Sequence, residues 1–169
     1  MDKPAWNHWL QIIVPSSVTN NTALLKITGG SNAAPIPTSA DAQGVQYATS
    51  LNSVVIVLPD VPSEPLKFSD ESISRSEDEI IAYTYDKFLD GGDSNWPLLL
   101  PMIKSAVRAM DTAQSFISTQ YGGSLNVNDF IVTGASKRGW TPWLTPAVDN
   151  RVRAIVPFVF DALNLGEQI

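Results

Sequence analysis

A serine between two glycines stands where an apolar, β-prone run ends late in the chain. The segment reads IVTGASKRGW from Ile131 to Trp140, with glycines at positions 134 and 139 around Ser136. A serine held on a sharp strand-to-helix turn exposes its hydroxyl at the carboxyl end of the strand, where it can attack a carbonyl carbon. Arg138 occupies the place of the second glycine in the G-x-S-x-G form of this turn. The pattern predicts a nucleophile at Ser136, and a strand followed by a serine N-cap explains the same residues.

Backbone amides near Ser136 could stabilise an oxyanion. The amide of Lys137 follows the serine directly, and Gly29-Gly30, after an earlier apolar run, could bring a second amide close to a substrate. A plain glycine turn is the alternative for Gly29-Gly30. Lys137 and Arg138 also place two cations beside the serine. Arg138 is therefore a candidate for binding a carboxylate or phosphate of the substrate, and a solvated basic pair is the alternative.

Strands and helices that could position the serine alternate along the sequence. The predicted strands are residues 22–28, 53–58, 129–133 and 152–160, and the predicted helices span residues 76–91 and 101–121. Ser76 and Glu79 have the spacing of a capping box at the first helix start. Residues 31–44 and 61–74 have the composition of loops. This order predicts an α/β protein, with a mainly parallel sheet and helices on both of its faces.

Two further features predict local structure near the serine. Pro142 falls just beyond the first turn of the helix expected after Ser136 and should bend or shorten it, and Pro146 should end it. The strand from Ala154 to Phe160 is almost wholly apolar. Such a strand is typical of a sheet interior that is covered on both faces and has a neighbour on each side. Because only residues 162–169 follow Asp161, we expect this sequence to leave an open sheet edge and an exposed apolar face.

Several ordered blocks extend over nearly the whole chain. They are Trp6-x-His8-Trp9-Leu10, Arg75–Asp78, Ala82–Phe88, Trp96–Leu98, Lys104–Asp111 and Gly134–Trp140. Together they resemble the PhoPQ-activated pathogenicity-related family, to which the autocrine proliferation repressors of social amoebae also belong. The resemblance implies an α/β-hydrolase fold and a secreted or periplasmic location. Residues 1–169 would then form a partial α/β-hydrolase domain, comprising its third to sixth strands, with the C-terminal part absent.

A hydrolase of this kind needs an acid and a histidine that follow the serine in the order Ser, Asp or Glu, His. Asp161 directly follows the last predicted strand and is a candidate acid, with capping of the next turn as the alternative. His8 is the only histidine and lies far upstream of Ser136. Its position between two tryptophans is typical of a packed structural residue. We therefore expect the full-length form to be an esterase or peptidase-like enzyme whose base lies outside this sequence.

The amino-acid composition limits the classes of partner that this chain is expected to bind. Seventeen acidic and 11 basic residues give a net charge of −6 without a basic stripe, which argues against nucleic-acid binding. With no cysteine and one histidine, a metal site is not expected, and no glycine-rich phosphate loop or other cofactor motif is present. No apolar stretch is long enough to span a membrane. A small-molecule or peptide substrate is the expected partner, and a receptor bound by a non-catalytic secreted protein is the alternative.

Overall fold

A computed structural model describes residues 5–160 of the chain. The strands are β1 (Gln11–Ile13), β2 (Thr22–Ile27), β3 (Val55–Leu58), β4 (Asp129–Ala135) and β5 (Val152–Phe158). The helices are α1 (Ala42–Leu51), α2 (Asp78–Gly91), α3 (Leu99–Tyr121) and α4 (Trp140–Leu144), with 3₁₀ turns at Ser136–Gly139 and Thr145–Ala147. The predicted α/β class is confirmed.

One mixed sheet organises the described residues, in the order β1-β3-β2-β4-β5. Strands β3, β2, β4 and β5 are parallel to one another, whereas β1 pairs antiparallel with β3. The sheet is therefore parallel only in part. The register places Ile27 of β2 beside both Leu58 of β3 and Gly134 of β4, so the carboxyl ends of these three strands lie at one level.

Helices cover both faces of the sheet, as the sequence predicts. Because successive side chains of a strand point to opposite faces, Ile56 and Leu58 of β3 join the large core under α2 and α3. Val55 and Val57 instead join a small cluster with Ala48 of α1. The apolar stripe of α3 is buried throughout, which anchors this helix against the central strands.

Glycines end the two long helices where the sequence predicts. Gly92 follows α2 with φ 68° and Gly122 follows α3 with φ 55°, both in the left-handed region that glycine adopts most easily. The capping-box prediction at the start of α2 is wrong. Helix α2 begins at Asp78, its N-cap is Glu77 with φ 56°, and no side chain caps it. Glu77 serves a tertiary contact instead, as described below.

The prediction of a loop from 31 to 44 misses the start of α1. Asp41 is the N-cap of this helix, and its carboxylate accepts a hydrogen bond from the Gly44 amide at 2.6 Å. The same carboxylate binds the ammonium group of Lys26 on β2 at 2.7 Å. Helix α1 has a short apolar face, so the sequence showed little helical periodicity there. The Asp41 cap and packing against β3 stabilise this helix.

Strand β5 forms an open edge within the described residues. It pairs with β4 alone, and its outer side carries no strand. Val156 and Phe158 are 40% and 51% exposed on the face opposite α3. Within residues 5–160, the open edge and the exposed apolar face agree with the expectation from the sequence.

Candidate active site

Ser136 lies at the junction between β4 and the following 3₁₀ turn. Its φ is 56°, a left-handed conformation that costs a non-glycine residue energy and is found at functional turns. The residue is exposed at the carboxyl edge of the sheet. The chain therefore makes a sharp strand-to-helix turn at Ser136, and the role of this turn as a nucleophile elbow stays a prediction. A regular helix with Ser136 as an ordinary N-cap would not need the left-handed conformation.

Close packing explains both glycines of the motif. A Cβ atom on Gly134 would lie 2.4 Å from the carbonyl oxygen of Arg138. A Cβ atom on Gly139 would lie 2.5 Å from the Cβ of Phe160, which follows β5 and stacks against Trp140 with ring centroids 5.0 Å apart. Gly139 therefore relieves crowding one residue later than in the G-x-S-x-G pattern, and the departure from that pattern leaves the turn intact.

Arg138 is held by the segment that precedes α2. Its Nε donates to the carbonyl of Val61 at 2.6 Å, and its terminal nitrogens bind Glu77 at 2.8 and 3.1 Å and Glu64 at 3.3 Å. Only 11% of the Arg138 side chain is exposed. These contacts assign Arg138 a structural part in fixing the turn after Ser136. Its part in binding substrate stays a prediction.

The pKa values of the two glutamates that hold Arg138 are shifted in opposite directions. Hydrogen bonds from Arg138, and then from Lys137, lower the pKa of Glu77 to about 2. Burial raises the pKa of Glu64 above its ordinary value, and the neighbouring Glu77 charge acts in the same direction. Glu64 also accepts the backbone amide of Glu77 at 2.6 Å, which fixes Glu77 in its left-handed conformation. The two glutamate side chains together form the binding site of the Arg138 guanidinium group.

Lys137 is also engaged through its side chain. Its ammonium group lies 3.0 Å from Glu77 and 3.2 Å from Asp78, at the start of α2. These contacts raise the pKa of Lys137. Both cations that follow Ser136 are therefore neutralised by carboxylates. Sequence reasoning did not find these carboxylates, because Glu64 lies in a predicted loop and Glu77 lies between Ser76 and Glu79, the two residues of the predicted capping box.

The glycine loop after β2 lies beside the turn that carries Ser136. A Cβ on Gly29 would lie 2.5 Å from a terminal nitrogen of Arg138, and a Cβ on Gly30 would lie 1.9 Å from an oxygen of Asp60. A Cβ at either position would have to displace the end of the Arg138 or Asp60 side chain, so these contacts favour glycine. The role of the Lys137, Gly29 and Gly30 amides as oxyanion donors stays a prediction.

His8 binds a different serine. Its Nε2 lies 3.0 Å from the hydroxyl of Ser105 on α3, and its Nδ1 lies 3.1 Å from the carbonyl of Pro59. Burial lowers the pKa of His8 from 6.5, against the opposing effects of the Pro59 bond and the Asp60 charge. Pro59 follows β3, which is two strands away from β4, or roughly 10 Å at the usual strand spacing. Both ring nitrogens are occupied, in agreement with the structural role predicted for His8.

The helix after Ser136 is short and irregular. It consists of the 3₁₀ turn Ser136–Gly139, the five-residue α4 and the 3₁₀ turn Thr145–Ala147. Pro142 falls within α4 and Pro146 within the last turn, so the predicted shortening is confirmed.

Three further predictions concern the candidate acid, a metal site and a membrane span. Asp161, the candidate acid, lies outside the described residues. Within residues 5–160, no group of three or more histidine or acidic side chains could hold a metal ion. No helix in the same range is long and apolar enough to cross a membrane.

Comparison with known proteins establishes the family. The model of the PhoPQ-activated pathogenicity-related protein family matches residues 1–169, so the chain belongs to this family. The chain is also 40% identical over 166 residues to autocrine proliferation repressor protein A of Dictyostelium discoideum. That match covers 97% of this chain and 33% of the relative, so the chain spans about a third of the relative's length. No solved structure matches the chain.

Proposed function

We propose that this chain carries the nucleophile of a serine hydrolase of the esterase or peptidase type. The observation that carries the proposal is the left-handed, exposed Ser136 between β4 and a helical turn, with a sterically required glycine on each side. Strain at a turn that exposes a nucleophile is a recurrent property of such sites. The β1-β3-β2-β4-β5 order, with its antiparallel first strand, supports an α/β-hydrolase fold for the described residues.

In the proposed reaction, the Ser136 hydroxyl oxygen attacks a carbonyl carbon and its proton passes to a general base. The backbone amides of Lys137 and of Gly29 or Gly30 stabilise the oxyanion that forms. The base is a histidine other than His8, because both nitrogens of His8 are engaged elsewhere. Asp161 is a candidate for the acid that orients this base. A secreted or periplasmic location forms part of the same proposal.

Labelling with a fluorophosphonate tests the proposal, because this reagent reacts with activated serines. We expect labelling of the full-length protein, complete loss in Ser136→Ala and retention in Ser105→Ala. Ser105 is the matched control because it contacts the only histidine of the sequence. Labelling that persists in Ser136→Ala, or no labelling of the folded full-length protein, would count against the hydrolase.

A second candidate is a secreted binding protein that uses the same scaffold without catalysis. The observation that favours it is the name of the relative, an autocrine proliferation repressor. In addition, the Ser136 hydroxyl has no hydrogen-bond partner within residues 5–160. Under this proposal the fluorophosphonate would leave the protein unlabelled, and Ser136→Ala would retain its binding to the partner.

A further inference from the structure

A cavity of about 780 Å³ lies away from Ser136, between α3 and the segment that leads into β1. Its volume is within the range of sites that hold small molecules. His8, Leu98 and Ser105 contribute to its lining, whereas Ser136 does not. The cavity is therefore independent of the proposed catalytic site.

The inner wall of this cavity is formed by buried apolar side chains. Leu58, Phe68 and Leu98 are each at most 4% exposed. Two tryptophans, Trp6 and Trp96, complete the apolar surface. Trp96 lies 6.3 Å from the ring of Phe68, which fixes its indole within an aromatic cluster. Such a wall fits an alkyl chain or an aromatic ring.

The charges at the cavity rim are of one sign. Lys104 and Arg108 lie one turn apart on α3, both exposed, and no aspartate or glutamate is among the described lining residues. This bias is notable in a protein with 17 acidic and 11 basic residues. The Asp111 carboxylate lies 3.0 Å from the Arg108 guanidinium group and partly neutralises its charge. Within residues 5–160, Lys104 makes no ion pair, so its charge is available to a ligand.

His8 and Ser105 contribute polar groups to the lining of the cavity. A carbonyl can only accept, so His8 donates its Nδ1–H to Pro59. The Ser105 hydroxyl lies 3.0 Å from Nε2 of the ring and donates to the carbonyl of Pro101, also at 3.0 Å. The pair therefore adds hydrogen-bonding groups to the cavity without adding negative charge. Asp60, which acts on His8 electrostatically, does not line the cavity.

We propose that this cavity binds an amphipathic carboxylate, such as a medium-chain fatty acid. The acyl chain lies against Trp6, Trp96 and Phe68, and the carboxylate lies at the rim beside Lys104. Burial of the chain supplies affinity, and the ion pair with Lys104 selects the anion over a neutral or cationic headgroup.

Isothermal titration calorimetry with decanoate and decyltrimethylammonium tests the proposal at equal chain length. We expect saturable binding of decanoate with one site and no saturable binding of the cation. Lys104→Glu should weaken decanoate binding by about tenfold or more, as expected for a lost charged contact. Arg153→Glu makes the same change of charge on β5, at the opposite edge of the sheet, and should change the affinity by less than about twofold because that residue is distant.

A second variant separates the cavity from other apolar surfaces. Val156→Thr alters the exposed face of β5 and should leave decanoate binding unchanged. Equal binding of both amphiphiles would overturn the proposal. So would an affinity that Val156→Thr lowers and Lys104→Glu does not.

Discussion

Ser136 and Ser105 each have half of what a catalytic serine needs. Ser136 has the exposed, left-handed backbone of a nucleophile turn but no histidine beside it among the described residues. Ser105 has a histidine nitrogen 3.0 Å from its hydroxyl, yet it lies in the middle of α3. In a helix interior the backbone amides are bonded to carbonyls one turn earlier, so they cannot stabilise an oxyanion.

The difference shows that a serine–histidine contact alone does not define an active site. The Ser105 pair joins the N-terminal segment to α3 and to the loop after β3, so its hydrogen bonds stabilise packing. The turn at Ser136 instead stores strain that the surrounding contacts must offset. Four predictions, from the largest expected effect to the smallest, test this contrast.

The largest change in the free energy of unfolding is expected when Arg138, beside Ser136, is replaced, and Arg108, near Ser105 at the cavity rim, is its control. Arg138→Met removes the cation between Glu64 and Glu77, and we expect a loss of about 3 kcal/mol in the free energy of unfolding, because a buried carboxylate loses its partner. Arg108→Met, at the cavity rim, removes a 72% exposed side chain and should cost less than about 0.5 kcal/mol. Urea unfolding measures both values. Equal costs would mean that Arg138 does not support the turn.

The glycine before Ser136 should be nearly as sensitive. Gly134→Ala places a methyl group against backbone atoms, and we expect a loss of about 2 kcal/mol from overpacking. Gly91→Ala at the end of α2 is the matched control, since no atom lies within 4 Å of its added Cβ. This control should be neutral or stabilising by up to about 1 kcal/mol. A tolerated Gly134→Ala would contradict the close packing described for the turn.

Substitutions of Ser136 and Ser105 should change the free energy of unfolding in opposite directions. Ser136→Gly relieves the left-handed strain and should raise the free energy of unfolding by up to about 1 kcal/mol. Ser105→Ala leaves Nε2 of His8 without its partner and should lower it by about 1 kcal/mol. Thermal unfolding followed by circular dichroism distinguishes the two outcomes. A stabilising Ser105→Ala would remove the structural role assigned to the His8 contact.

The smallest effect concerns acid stability. The pKa of Glu77 is about 2 in the folded protein and 4.5 in the unfolded chain, so its contribution is complete above pH 4.5 and is lost as the pH falls toward 2. Glu64 acts in the opposite direction, because its folded pKa is raised. We expect Glu77→Gln to flatten the acid-side slope of a stability-against-pH curve. An unchanged slope would indicate that Glu77 does not hold Arg138 in solution.

The strongly patterned elements were predictable and the short ones were not. The stripe of α3 and its terminal glycine fixed that helix within two residues, because its apolar positions repeat over many turns. Strand β1 has only three residues and α1 only ten, too few for a clear period. Ser76 and Glu79 misled the prediction at the start of α2, since their spacing is that of a capping box, whereas the N-cap is Glu77.

The sequence by itself determined the α/β class, the family blocks and the turn at Ser136, because these depend on local periodicity and on residue types at short spacing. Only the tertiary structure decided what the charged side chains do. Arg138 meets Glu64, 74 positions away, and His8 meets Ser105, 97 positions away. The position of Lys104 at the cavity rim, without an ion pair to residues 5–160, also depends on such contacts. Pairings over these distances follow from how helices pack on the sheet, which no local pattern encodes.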